Sequence, residues 1–196
     1  MTVAPVLVMI GVSAGGLDAV CTLLRGLPED FRMALVVVQH RSKDSDALCE
    51  VLQECTPLPV HEATDKASAE QGKVYLAPPD YHLLLEDGYF SLSTDAPEMY
   101  SRPSIDVAFE SAADAYGARV VGVVLTGANH DGARGLRRIV DRGGTALVQD
   151  PATAEVAVMP AAALRAVPEA EVLTLPRIAE RLLTLQTPPA TPGGKR

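Results

Sequence analysis

Short apolar runs recur along the chain, separated by stretches in which apolar residues return every three or four positions, so buried strands are expected to alternate with amphipathic helices. The first run, from about Pro5 to Ile10, stops at Gly11. Leu17, Val20, Leu23 and Leu24 follow at helical spacing and predict a helix ending near Gly26-Leu27-Pro28. Ala34 to Val38 reads as a second buried strand ending at Gln39-His40, and a helix is expected from about Asp44 to Cys55. Pro57 and Pro59 bracket a return to extended chain at Val60-His61-Glu62-Ala63, and Lys73 to Ala77 reads as a short strand stopped by Pro78-Pro79. Asp87-Gly88 between the apolar runs 82–86 and 89–92 is a hairpin signal. The alternation then resumes with a helix over 104–116, a strand over 120–126, a loop over 127–132 and a helix over 133–141. A strand over 145–149, a helix over 159–166, a strand over 171–175 and a helix over 177–185 follow.

Strands that alternate with helices and are buried on both faces belong to a parallel sheet. The expected fold is therefore α/β: a doubly wound, mostly parallel sheet with helices on both faces and an antiparallel hairpin at its edge. Residues 1–186 are expected to form one domain, with a disordered Pro- and Thr-rich tail over 187–196.

Composition narrows the partners. The formal charge is −8, with 17 Lys and Arg against 25 Asp and Glu, the wrong balance for nucleic-acid binding. No apolar stretch reaches the ~20 residues of a membrane span, so no direct membrane insertion is expected. Cys21, Cys49 and Cys55 are odd in number and form no C-x-x-C pair; Cys21 lies in a helical pattern, where a buried small hydrophobe is expected. Together they point to reduced thiols in the cytoplasm. No metal site or cofactor is expected, because no H-E-x-x-H or Cys/His cluster has ligand spacing. Asp44-x-Asp46 reads as a helix start.

Candidate chemistry gathers at the ends of strands. Gly11-x-Ser13-x-Gly15 matches G-x-S-x-G in a strand–turn–helix context. His40 ends the second strand, and Asp131 lies in the loop after the 120–126 strand. In an open parallel sheet such loops project from one edge, where ligands bind. A hydroxyl, an imidazole and a carboxylate on that edge are the inventory for nucleophilic acyl transfer, with Ser13 as nucleophile, His40 as base and Asp131 as the group orienting the ring. The turn glycines and the helix N-terminus would serve a developing oxyanion. Each residue also has a plainer role: Ser13 and Asp131 as helix N-caps, Ser13 as a phosphate donor, and His40 as a loop histidine hydrogen-bonded to backbone. His130 rivals His40, and Asp80, Asp106 and Asp150 rival Asp131. His61 and His82 read as surface residues at strand ends, and Arg134, Arg137 and Arg138 as either a basic patch or a solvated helix face.

Six ordered motifs carry a resemblance. They are Gly11-Val12-Ser13-Ala14-Gly15-Gly16, Val37-Val38-Gln39-His40, Ala77-Pro78-Pro79, Arg102-Pro103-Ser104-Ile105-Asp106, Leu125-Thr126-Gly127 with Asp131-Gly132-Ala133, and Gln149-Asp150-Pro151. Residues 5 to 186 resemble the catalytic domain of the CheB chemotaxis methylesterase family. The resemblance implies a catalytic triad of Ser13, His40 and Asp131, with Ala14, Gly15, Ala128 and Asn129 in the oxyanion and active-site loops. It implies hydrolysis of glutamyl methyl esters on the cytoplasmic helices of methylated chemoreceptors, and deamidation of receptor glutamines as in some members. Three features depart from the family pattern. The chain begins at strand one, without the usual receiver domain and linker. Ala14 stands where a hydroxyl residue often follows the nucleophile. Gly127-Ala128-Asn129-His130-Asp131 replaces Gly-Met-Gly-x-Asp. The competing expectations are a weak or inactive receptor-binding module and a phosphate-binding α/β protein.

Overall fold

A computed structural model describes residues 6–40 and 47–186; the start of the helix expected at Asp44, the Asp44-x-Asp46 reading and the tail from 187 lie outside the described residues. The first half runs β1 (Leu7–Val12), α1 (Gly16–Arg25), β2 (Ala34–Gln39), α2 (Leu48–Gln53), β3 (Val60–Glu62) and β4 (Val74–Leu76). A hairpin of β5 (His82–Leu85) and β6 (Phe90–Ser93) follows. The second half runs α3 (Ile105–Tyr116), β7 (Val120–Val124), α4 (Ala133–Asp141), β8 (Thr145–Gln149), α5 (Val158–Ala166), β9 (Glu171–Leu173) and α6 (Leu175–Gln186).

Seven strands form one sheet in the order β3-β4-β2-β1-β7-β8-β9, and all its pairings are parallel. Side chains alternate between its faces with the period of two that strands impose. Val8, Ile10 and Val12 join the core beneath α1, α2 and α6, with Leu24, Leu52 and Ile178. Leu7 and Met9 join the opposite core, with Phe109, Leu136 and Met159 of α3, α4 and α5. The chain winds outward from β1 through β2 to β4 on one side, then restarts at β7 and winds the other way. The switch in strand order therefore falls between β1 and β7, where open α/β sheets bind their ligands.

The hairpin turns at Asp87-Gly88, with Gly88 at φ 89° and Glu86 N–H donating to Tyr89 O at 2.9 Å. Among the named strands it pairs only with itself and forms a separate two-stranded sheet. Leu83, Leu85 and Phe90 enter the core shared with α3.

Two expectations are corrected. Cys21 is buried as expected, but it is joined to Cys55 in a disulfide, so the thiols are not all free. α1 and the turn after α2 pack on the same sheet face and bring two buried sulfurs together, a contact that a separation of 34 residues conceals. His82 is buried rather than a surface residue at 2% exposure; its Nε2 donates to Ala96 O and its Nδ1 accepts from Ser104 N–H. His61 is exposed.

α3 and α4 cross closely at Gly135. A Cβ there would lie 2.5 Å from Phe109 Cβ and 3.0 Å from Asp106 O. Gly135→Ala sets a gain in helix propensity of about 1 kcal/mol against overpacking, which costs about 1–3 kcal/mol. Because both neighbours sit on a packed helix, the steric cost is expected to win. The urea midpoint of the variant should fall with an unchanged denaturant slope.

Candidate active site

Ser13 follows β1 directly, and its turn is tied to the neighbouring strand end. Ser13 N–H donates to Thr126 O at 3.0 Å, and Thr126 Oγ1 donates to Ala14 O at 2.9 Å. Thr126 is buried and is held in turn by Gln149 of β8, whose Oε1 accepts Thr126 N–H at 2.9 Å. Gly15 caps α1 in the left-handed region at φ 72°, which lets the chain reverse straight into the helix. Gly127 admits the close approach, since a Cβ there would strike Met159 Sδ and lie 2.9 Å from Ser13 Cβ.

His40 leaves β2, the strand beside β1, and its N–H continues the pairing by donating to Val12 O at 3.2 Å. Its ring spans the two other predicted residues. Nδ1 lies 3.2 Å from Ser13 Oγ, and Nε2 lies 2.8 Å from Asp131 Oδ2. Ser13, His40 and Asp131 thus form one hydrogen-bonded line across β1, β2 and the loop after β7.

Asp131 is 1% exposed and lies against the N-terminus of α3. Its Oδ2 accepts Ile105 N–H at 2.7 Å; its Oδ1 accepts Asp106 N–H at 2.8 Å and the Ser104 hydroxyl at 3.0 Å. Ser104 is itself the N-cap, its Oγ accepting Val107 N–H. The unpaired N–H groups of the first turn therefore converge on one carboxylate and one hydroxyl. Burial pushes the Asp131 carboxyl up. The His40 bond and the N–H groups of Asp106 and Ile105 outweigh it and hold the group below its ordinary range. An ionised Asp131 only accepts, so His40 carries its proton on Nε2 and presents a lone pair at Nδ1 to Ser13.

The remaining candidates separate. Asp106 does not touch His40. Its Oδ1 accepts N–H from Gly132 at 2.9 Å and Gly135 at 2.7 Å, anchoring the start of α4. Burial pushes Asp106 up to about 6; the neighbouring Asp131 acts in the same direction, while Gly135, Arg134 and Gly132 offset part of it. Asp80 pairs with Arg102 at 2.6 Å, and Asp150 Oδ1 accepts Ala152 N–H. His130 is exposed, as is Ala128. Asn129 does reach the site: its Oδ1 accepts Asp131 N–H at 3.0 Å and its Nδ2 lies 3.3 Å from His40 Nδ1. Arg134, Arg137 and Arg138 form a solvated face. They pair with Glu98 and Glu110, with Asp141 and Glu169, and with Asp114 respectively. Among the described residues, no group of three or more His, Cys, Asp or Glu is placed to hold a metal ion.

Sequence reading missed the supporting groups. The supporting roles of Ser104, Asp106 and His82 rest on contacts between distant segments; their one legible sign was Ser104 at the start of the helix expected over 104–116. Glu155 was also missed. Its carboxylate packs over Gly15 so closely that a Cβ there would lie 2.5 Å from Oε2.

These features define a parallel α/β protein in which a hydroxyl, an imidazole and a buried carboxylate meet at the switch in strand order. The chain belongs to the CheB methylesterase family, whose model matches residues 8–182. It is 47% identical over 180 residues to a Leptospira interrogans protein whose name contains "protein-glutamate methylesterase/protein-glutamine glutaminase", covering 91% of this chain and 93% of that one. A Burkholderia pseudomallei protein-glutamate methylesterase/protein-glutamine glutaminase is 40% identical over 183 residues, covering 92% of this chain and 54% of the relative. The chain thus spans nearly all of the first relative and about half of the second. The Thermotoga maritima CheB methylesterase catalytic domain superposes with a TM-score of 0.89 at 32% identity, covering 93% of this chain and 100% of that domain.

The raised Asp106 sets a pH dependence. A folded pKa of about 6 against an ordinary 3.8 means that the folded protein holds this proton more tightly than the unfolded chain. The contribution to stability is full below about 3.8 and is lost as pH rises through about 6. Asp106→Asn cannot titrate. The stability of the natural protein relative to this variant should fall by up to ~3 kcal/mol across that window, read by urea unfolding at several pH values. A difference that is flat or rises with pH would contradict the assignment.

Proposed function

We propose that this protein hydrolyses glutamyl methyl esters on chemoreceptor helices, releasing glutamate and methanol, with Ser13, His40 and Asp131 as the catalytic triad. The observation that carries the reading is the single line of hydrogen bonds from Ser13 Oγ through the His40 ring to Asp131.

Ser13 Oγ attacks the ester carbonyl while His40 Nδ1 takes its proton. Asp131 stays ionised and stabilises the imidazolium through Nε2–H, because its own charge is held by the first turn of α3. The tetrahedral oxyanion lies by the turn, where the backbone N–H groups of Ala14 and Gly15 before α1, and the backbone N–H groups of Ala128 and Asn129, serve as donors. The imidazolium then protonates the departing methoxide. A water, deprotonated by His40, attacks the acyl-enzyme and returns Ser13. With a glutamine side chain the same steps release ammonia. Residues 1–186 form the catalytic domain, and the cytoplasm, where the receptor helices lie, is its place of action. Among the described residues no helix is long and apolar enough to cross a membrane.

Incubated with methylated receptor, the protein should release methanol, and Ser13→Ala should lower that rate on the order of 10⁴-fold or more. Gas chromatography of the headspace reads both. Undiminished release by the variant would eliminate Ser13 as nucleophile. A natural protein that binds receptor without releasing methanol would favour the receptor-binding module instead.

A further inference from the structure

Both ends of the Asn129 amide are assigned by its neighbours. Oδ1 accepts Asp131 N–H at 3.0 Å, so the end facing His40 is the donor Nδ2, at 3.3 Å from Nδ1. Ser13 Oγ stands 3.2 Å from the same ring nitrogen. Nε2 is committed as a donor to Asp131. A neutral imidazole protonated at Nε2 has a single lone pair at Nδ1. The Ser13 hydroxyl and the Asn129 amide therefore compete for one acceptor.

The two donors have opposite consequences for reaction. The Ser13 contact is the one along which the proton travels. The Asn129 contact exists only while Nδ1 is unprotonated. Once Nδ1 holds the Ser13 proton it is itself a donor and faces the amide's N–H groups. An interaction present in the resting state and lost in the transition state raises the barrier between them. Asn129 cannot ease the conflict by flipping, because that would turn its NH2 group onto the N–H of Asp131.

We infer that Asn129 is an inhibitory positioning residue, a latch that occupies the lone pair of the general base and slows proton transfer from Ser13. The inference rests on the reading of Ser13 as nucleophile and His40 as base. Asn129 sits one residue before exposed His130 and one after exposed Ala128, and is itself only partly buried. Leaving Nδ1 toward solvent therefore unpacks no core, but it gives up the bond from Asp131 N–H. The latch costs the enzyme the strength of one ordinary side-chain hydrogen bond, which converts to about a three- to tenfold change in rate.

The test compares the natural protein with Asn129→Ala, Asn129→Gly and Asn129→Leu. The reagent is a fluorophosphonate, which phosphonylates the activated serine with loss of fluoride, and the readout is the second-order rate of Ser13 labelling with thermal unfolding measured in parallel. All folded variants should label about three- to tenfold faster than the natural protein. Asn129→Leu keeps the side-chain bulk and removes the donor, so acceleration in the Ala and Gly variants alone would assign the effect to reagent access and overturn the latch. Equal or slower labelling by folded variants would also overturn it. The ¹⁵N resonance of His40 Nδ1 supplies a second readout that packing alone would not move. It should move when Asn129 is removed and the lone pair passes to Ser13 alone, and an unchanged resonance would count against the contact. Failure of the natural protein and of every variant to label at Ser13 would instead remove the nucleophile, and the latch with it.

Discussion

The Asp131 carboxylate is buried almost completely, yet it keeps its charge because the start of α3 is built around it. Ile105 N–H, Asp106 N–H and the Ser104 hydroxyl all donate to it, and His40 Nε2 supplies the fourth bond. A buried carboxylate without these partners would carry a desolvation cost of several kcal/mol and would take up a proton instead. Protonated, it would no longer hold Nε2–H in place. The first turn of α3 and the tautomer of His40 are thus one electrostatic arrangement: the helix end stabilises the charge, and the charge directs the lone pair of the ring toward Ser13.

That arrangement is braced from the other direction. Asp131 caps α3, while Asp106, in the first turn of α3, accepts the N–H groups of Gly132 and Gly135 at the start of α4. Each helix start is therefore held by a carboxylate from the neighbouring segment. The close approach at Gly135 makes the exchange possible, and it places two acidic groups side by side. Burial is the main reason that the Asp106 pKa is raised, and the neighbouring Asp131 charge adds to it. Of the two, only Asp131 has a hydrogen bond from His40 to oppose its burial. The load on the pair is divided so that the residue facing the ring stays ionised.

The elements were largely legible in the sequence, because a parallel sheet buried on both faces requires uninterrupted apolar runs. Leu7–Val12, Ala34–Gln39 and Val120–Val124 are such runs, and Ser13, His40 and Asp131 were identifiable because each closely follows one of them. The supporting groups were not legible. His82 alternates into a hairpin like any strand residue, and nothing in that pattern reports that Ser104 N–H waits for it across the fold. The Cys21–Cys55 bridge was hidden for the same reason: helix packing brings the sulfurs together, and no local spacing records it. Asp106 rivalled Asp131, since both are acidic residues at helix starts, and its own role in holding the start of α4 was not legible. Only the direction of the α3 N-terminus separates them.

The loop from Ala128 to His130 shows how far a strand-end argument reaches. Its position is dictated by the end of β7 and by the anchoring of Gly127, whose N–H and carbonyl are taken by Val156 and Met159. What the loop does is decided by one side chain. A residue without an amide at 129 would leave His40 Nδ1 to Ser13 alone, whereas Asn129 introduces a second donor at nearly the same distance. The backbone course and the bond from Asp131 N–H to Oδ1 hold that amide in register with the ring. The scaffold therefore determines where the His40 ring and the Ser13 hydroxyl meet. The strength of their coupling is a separate property, set by competition for a single lone pair.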